Sequence, residues 1–354
     1  MLIGKTMSNK NLYRLPAEWE KHEATWIGWP ANKEDWPGKF TPIPWVYGEI
    51  VRYISRDEKV RIIVQSKSHQ QKAFNVLKSV DANLDNIEFF TLKTDRNWLR
   101  DAGPQFVKDE NGNTVVVQFK FNAWAKYKNY RLDAKIPKMI SERLKLERVV
   151  AKHNNNEIVL EGGSIDYNGT GSIITTEECL MDNEVQVRNP GFTKKDYEEV
   201  FRKYLGVPNV IWLGKGIAGD DTHGHVDDIT RFVNRNTVVT VIETKANDPN
   251  YINLLENRER LEDAVLEDGS VPEIVELPMP SPVYFKGQRL PASYANFYIS
   301  NYAVLVPTFN DPNDRMALGI LSELFEDRPV IGIHAVDLVW GLGTLHCLTH
   351  EQVL

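Results

Sequence analysis

Residues 302–333 read YAVLVPTFNDPNDRMALGILSELFEDRPVIGI. Tyr302–Pro307 is a short apolar, β-rich run of strand type. Asp311-Pro312 then offers a cap followed by a first-turn proline, and apolar residues recur at helical spacing as far as Phe325. Val330–Ile333 is a second β-rich run. Working outward, the same alternation recurs. Strand-like runs lie at Val60–Gln65, Asn86–Leu92, Thr114–Phe119, Gly171–Thr175, Asn209–Leu213 and Thr237–Glu243. Helical patterns lie at His69–Val80, Ala134–Leu146, Thr193–Tyr204 and Pro249–Leu266. Strands alternating with helices predict an α/β fold. No Pro-, Gly- or Ser-rich linker divides the chain, so the reading is a flexible tail over residues 1–10 and one domain over residues 11–354.

Of the 354 residues, 42% are hydrophobic and 26% charged, ordinary values for a globular protein. No stretch approaches the ~20 apolar residues of a membrane helix. The opening MLIGKTMSNKNLYRLPAEW lacks the apolar core of a secretory signal, which points to the cytoplasm. A net charge of −7 with scattered basic residues disfavours nucleic acid and suits a cationic small molecule. The two cysteines, Cys179 and Cys347, sit in unlike contexts, so disulfide stapling is not expected.

Four segments carry chemistry. In Asp221-Thr-His-Gly-His-Val-Asp-Asp228, an extended backbone would turn His225 and Asp227 to one face, pairing an acid/base with a charge-binding carboxylate. His223, His225 and Asp227 also have a zinc-hydrolase spacing, and the segment leaves both readings open. Trp98-Leu-Arg-Asp101-Ala-Gly-Pro104 presents the Asp101 carboxylate beside an aromatic face. There it can grip a guanidinium through paired N–H···O bonds, with Trp98 adding cation–π contact. Leu160-Glu161-Gly162-Gly163 ends an apolar run on an acid able to orient a histidine, and its glycines admit a close neighbour. Gly341-Leu-Gly-Thr-Leu-His-Cys347 places a thiol after a glycine-rich bend, where cationic neighbours could activate it, whereas Cys179 looks like an inert buried cysteine. Asp101, Glu161, His225, Asn296 and Cys347 recur at intervals of roughly one ββαβ module, each beside a strand end. A ring of such modules, each sending one polar side chain to a common axis, would give this spacing.

With these segments in view, the sequence resembles the agmatine deiminase and bacterial-type peptidyl-arginine deiminase family, of the guanidine-modifying superfamily. The resemblance runs from Pro16-Ala-Glu18-Trp-Glu-Lys-His-Glu-Ala-Thr-Trp26 and Trp29-Pro30 through Phe121-Asn-Ala-Trp124 and Ser293-Tyr-Ala-Asn296-Phe297 to His346-Cys347-Leu-Thr349. It implies a five-bladed α/β propeller (pentein) with its site on a pseudo-fivefold axis. It further implies Cys347 as nucleophile, His225 as acid/base, Asp101 and Asp227 on the guanidinium and Glu161 in support. Trp98 and Asn296 would be substrate-binding, with no metal or cofactor. The implied reaction converts agmatine to N-carbamoylputrescine and ammonia. A deiminase of peptidyl or free arginine is the alternative. A zinc hydrolase and a non-catalytic propeller binding protein are more distant ones. Gly-Leu-Gly-Thr at 341–344, where the family often has three glycines, bears on the substrate rather than the nucleophile. The expected partner is a small guanidinium cation, without nucleic acid or membrane, and a homo-oligomer is left open. The cluster Trp36, Pro37, Pro42, Pro44 and Trp45 suggests a loop over the pocket.

Overall fold

The structure, a computed structural model, describes residues 13–354; the tail expected over residues 1–10 lies outside them. The described residues form a mixed α/β architecture with five sheets of three or four strands and two small two-stranded ribbons. The sheets are built alike. Gln105–Asp109 pairs antiparallel with Thr114–Gln118, which pairs parallel with Glu147–Val150. The same antiparallel-then-parallel order joins Ile165–Tyr167, Ser172–Thr176 and Asn209–Leu213. It recurs for Thr230–Phe232, Thr237–Ile242 and Glu273–Pro278, and for Tyr298–Ile299, Val304–Thr308 and Val330–His334. In each case a helix lies in the crossover to the parallel strand, because strands cannot be paired parallel by a tight turn. The fifth sheet draws on both ends of the chain. Thr349–Val353 pairs antiparallel with His22–Gly28, which continues parallel into Lys59–Val64 and Ile87–Thr91.

The middle strands explain the sequence signal. Thr237–Ile242 (TVVTVI) and Ser172–Thr176 (SIITT) are buried almost throughout, so they read as continuous apolar or β-branched runs rather than alternating ones. Helix Lys194–Leu205 opens on a capping box between Thr193 and Asp196 and buries Tyr197, Val200, Phe201 and Tyr204 along one stripe. The segment 302–333 folds as read, with a helix at Asn313–Leu324 between the paired strands.

Among the departures from the expected elements, three have identifiable causes. The expected Pro249–Leu266 helix runs only from Tyr251 to Glu262, because a turn-rich stretch with Asp268-Gly269 follows it. The Pro- and Trp-rich segment read as a loop contains helix Ile43–Ile54, whose first turn tolerates Pro44 because a first-turn amide has no intrahelical partner. The terminal strands His22–Gly28 and Thr349–Val353 passed unread, since each becomes a strand through a partner at the other end of the chain.

Helix Lys194–Leu205 stops at Gly206, whose φ of 71° is left-handed and whose added Cβ would lie 1.7 Å from the Tyr13 carbonyl oxygen. Gly206→Ala is therefore expected to destabilise the fold by about 2 kcal/mol or more, from the strained backbone and a displaced Tyr13–Arg14 strand. A urea titration checks this; an unchanged midpoint would contradict it.

Candidate active site

Each of the five sheets is entered through a turn that carries a reactive side chain. Asp101 lies on the four-residue helix Leu99–Ala102 ahead of Gln105–Asp109, and Glu161 precedes the turn Gly162–Ser164 that leads into Ile165–Tyr167. His225 and Asp227 lie at the turn Val226–Asp228 before Thr230–Phe232. Asn296 precedes Tyr298–Ile299, and Cys347 lies on helix Leu345–Leu348 before Thr349–Val353. The extended backbone expected around His225 is a 3-10 turn instead. The two side chains still reach one centre: a Cβ placed on Gly163 would meet His225 Nδ1 at 2.5 Å and Asp101 Oδ1 and Asp227 Oδ2 at 3.0 Å each.

The imidazole of His225 lies between two acids, 3.8 Å from Asp101 Oδ1 and 3.7 Å from Glu161 Oε2. These are ion-pair rather than hydrogen-bond distances, and both ring nitrogens lack a hydrogen-bond partner. Burial alone would lower its pKa. The Asp101 charge, with Cys179 and Glu161 beside the ring, outweighs burial and holds it well above the usual histidine range. Burial raises Glu161, but Arg188, donating from Nε to both oxygens at 3.2 Å, brings its carboxyl below the ordinary value. Asp101 accepts from Trp124 Nε1 at 2.9 Å and from the Gly163 amide at 3.0 Å, yet burial keeps its pKa raised.

Cys347 is buried, with Sγ 3.7 Å from Asp227 Oδ2. Burial and then the charges of Asp227, Asp228 and Asp101 push its thiol well above the ordinary range. Asp227 goes the other way: burial raises it, but the hydrogen bond and charge of His346, 2.6 Å from Oδ2, bring it down. Asp228 beside it is driven well up by burial and by Asp227.

A cavity of about 130 Å³ opens onto this cluster, with Cys347, Asp101, Trp98, Trp124, Leu342 and Gly343 on its inner wall and Glu34, Asp35, Arg96, Tyr127 and Asp221 further out. Trp98 stacks on Trp36 at 5.5 Å between ring centres, so the aromatic face expected beside Asp101 is there and is itself braced. His225, Asp227 and Glu161 stand off that wall, reached through Cys347 and Asp101. Asn296, expected on the substrate, spends its side chain elsewhere. Its Oδ1 accepts from Thr344 Oγ1 at 2.7 Å and the His346 amide at 3.1 Å, while Nδ2 donates to Cys347 Sγ at 3.2 Å. It clamps the segment that carries Cys347, because the opening amides of the short helix Leu345–Leu348 have no intrahelical partner and the Asn296 side chain supplies an acceptor.

The zinc spacing does not close in space. His223 turns to Asp182 at 2.7 Å; among the described residues, Glu161–Cys179–His225 and Asp227–Asp228–Cys347 are the groups close enough to share an ion, and neither holds His223. Lys126 pairs with Asp221 at 2.5 Å, and Lys128 and Arg131 are exposed and off the cavity wall. Sequence reasoning missed Arg188, Asp228, the contact of Cys179 with the histidine, and the Glu18–His346 pair. Trp124, Glu18 and His346 all fell inside the family-like motifs, which was the available signal.

The profile of the Porphyromonas-type peptidyl-arginine deiminase family matches residues 14–352. The chain belongs to that family. Agmatine deiminase of Pseudomonas aeruginosa LESB58 is 32% identical over 365 residues, covering 96% of this chain and 95% of the relative. Among solved structures, agmatine deiminase of Enterococcus faecalis has a TM-score of 0.87 at 28% identity, covering 99% of this chain and 98% of that one. A cysteine-to-serine variant of C. jejuni agmatine deiminase with substrate bound has a TM-score of 0.85 at 30% identity, with coverage of 97% and 96%. An amidinotransferase of Microseira wollei shares the fold, with a TM-score of 0.52 at 11% identity and coverage of 97% and 96%. The family expected from the motifs is therefore the family shown.

In this deiminase family member, Gly163 packs directly against the side chains of Asp101, Asp227 and His225 and leaves no room for a Cβ. Gly163→Ala is expected to leave the fold intact and reduce turnover by about 10²-fold or more, since the methyl group displaces the reacting groups from one another. Steady-state rates with a matched thermal melt test this. Wild-type turnover in a folded variant would contradict it.

Proposed function

We propose that this chain is an agmatine deiminase, hydrolysing the guanidinium of agmatine to N-carbamoylputrescine and ammonia through a covalent Cys347 adduct. The observation that carries the reading is the gathering of the Cys347 sulfur and the Asp101 carboxylate on the wall of a narrow cavity, with the Asp227 carboxylate and the His225 ring packed directly behind them. A guanidinium is resonance-stabilised and a poor electrophile, so the site must orient it and supply charge. Asp101 and Asp227 accept its N–H groups, and Trp98 offers a ring face. The cation also answers the charge problem at the sulfur: the same acids that push the thiol up are neutralised when it binds, so the thiolate forms most readily with substrate in place.

The thiolate attacks the guanidinium carbon. His225, held in its protonated form between Asp101 and Glu161, gives a proton to the departing ammonia. The carbon–nitrogen bond breaks, leaving an S-alkylthiouronium on Cys347. His225, now neutral, takes a proton from water as that water adds to the same carbon, and collapse returns the thiol and a ureido product. Atoms balance as guanidinium plus water giving urea and ammonium.

Agmatine is favoured over a peptide by the size of the cavity, about 130 Å³, which suits a slender chain. Arg96 on the cavity wall is already matched by Asp35, and Lys126 by the wall residue Asp221, so neither of these cations is left to await an α-carboxylate. The agmatine deiminases among the relatives support the same choice. The reading extends to one domain over residues 11–354 arranged as a five-bladed propeller around the site. It is supported by five like-ordered sheets that each lend the site a turn. We place the enzyme in the cytoplasm with a small-molecule partner; among the described residues no helix is long and apolar enough to cross a membrane.

Agmatine should raise the melting temperature of Cys347→Ala by a few degrees, since binding to the folded state alone stabilises it. No shift would count against the guanidinium site. Asp101→Asn should cut kcat/KM for agmatine by about 10²-fold by removing a charged acceptor. Ammonia release from agmatine, arginine and an arginine-terminated peptide, side by side, should favour agmatine. Faster release from the peptide would overturn the substrate assignment.

A further inference from the structure

His346 entered the sequence reading only as the neighbour of Cys347, and the mechanism above makes no use of it. Its ring is buried, and both nitrogens face carboxylates: Nδ1 lies 2.6 Å from Asp227 Oδ2 and Nε2 lies 2.8 Å from Glu18 Oε2. A neutral imidazole carries one N–H and cannot donate to both; an imidazolium can. Glu18 is itself anchored as an anion. Arg231 Nη2 and Arg100 Nη2 each lie 3.0 Å from its oxygens, and their charges overcome the effect of burial to hold its carboxyl well below the ordinary range. A chain of paired groups therefore runs through the interior, from the two arginines to Glu18, to the His346 ring, to Asp227.

The backbone of His346 is pinned as well. Its carbonyl accepts from Arg100 Nε at 3.2 Å and its amide donates to Asn296 Oδ1 at 3.1 Å. Ring and main chain are both fixed, so the direction from which the imidazolium meets Asp227 is set by the fold. One consequence lies at the far side of that carboxylate. Oδ2 is taken by His346, whereas Oδ1 is buried and has no hydrogen-bond partner. A buried carboxylate with one oxygen committed and the other free offers a single acceptor in a set direction.

We propose that His346 is a positioning residue: bridging Glu18 and Asp227 as a cation, it keeps Asp227 ionised and aims its free oxygen at the substrate guanidinium. This rests on the reading of Asp227 as a guanidinium-binding carboxylate. Both ring nitrogens of His346 are committed to Asp227 and Glu18, so it acts through Asp227.

The effect shows in pH dependence. Asp227 is faced by the cations of His346, His225 and Arg231, and by the acids Asp228 and Asp101 and the Cys347 thiol. His346 is faced by Glu18 and Asp227, with Asp166 and His350 nearby. With the imidazolium present, the Asp227 pKa is depressed, so its binding function holds above that value and is lost as pH falls through it. Remove the imidazolium, and burial with the neighbouring acids raises the Asp227 pKa; binding then fails at a higher pH.

The test is the pH profile of kcat/KM for agmatine in the full-length wild type, His346→Gln and Glu18→Gln, with melts to confirm folding. For His346→Gln the expected result is an acid limb moved up by about one unit or more. KM at neutral pH should rise about tenfold, with a smaller fall in kcat. Glu18→Gln keeps the ring and removes one counter-charge, so a smaller shift in the same direction is expected, and it serves if the histidine variant does not fold. Folded variants that lose rate uniformly, with the wild-type acid limb and KM, would overturn the proposal. If the wild type itself releases no ammonia from agmatine, the functional reading has failed; if it does and the variants keep its profile, only the role of His346 has.

Discussion

Asp101, Glu161, Asp227 and Asp228 are all buried around Cys347 and His225, and an ionised carboxylate without a counter-charge is costly there. The structure answers each one differently. Glu161 has Arg188, a permanent cation, and is held ionised. Asp227 has the His346 ring, backed by Glu18 and two arginines. Asp101 has an indole, a backbone amide and the His225 ring, and remains raised. Asp228, next to Asp227, is driven furthest towards its neutral form. Asp101 and Asp228 are thus the incompletely matched acids of the cluster, whereas Asp227, which contacts the thiol, has its counter-charge built in.

That arrangement needs side chains from five distant stretches of chain to meet, and the topology supplies them. In every sheet the reactive residue sits on the turn that enters the first strand, where the backbone is free of ladder hydrogen bonds and can aim a side chain along the sheet's end. The fifth sheet uses Thr349–Val353 as its first strand, so the segment carrying Cys347 is anchored by pairing to His22–Gly28. Packing there is tight: a Cβ on Gly163 would press on His225, Asp101 and Asp227 at once.

The parts legible in the sequence were those with local causes. Strand–helix alternation, the Asp311-Pro312 helix start and the glycine-rich approach to Cys347 each follow from neighbours in the chain, as does the capping of Lys194–Leu205. The glycine pair at 162–163 announced a close approach, although what approaches is the Arg100 carbonyl on one side and the catalytic ring on the other. The parts that were not legible depend on pairings across the chain. Glu18 and His346 are 328 residues apart and His346 and Asp227 are 119 apart, so nothing in either segment announces the hydrogen-bonded chain they build. Asn296 was placed on the substrate for a similar reason: its motif was visible, but its commitment to Thr344 and Cys347 exists only once two sheets adjoin.

The central claim is a covalent bond between Cys347 and the guanidinium carbon, and mass spectrometry of enzyme quenched in acid during turnover addresses it directly. The account predicts a Cys347 peptide heavier by the mass of agmatine less one ammonia, present during turnover and absent when agmatine is omitted. Ammonia release with the modification absent from Cys347 under every quench condition would contradict it.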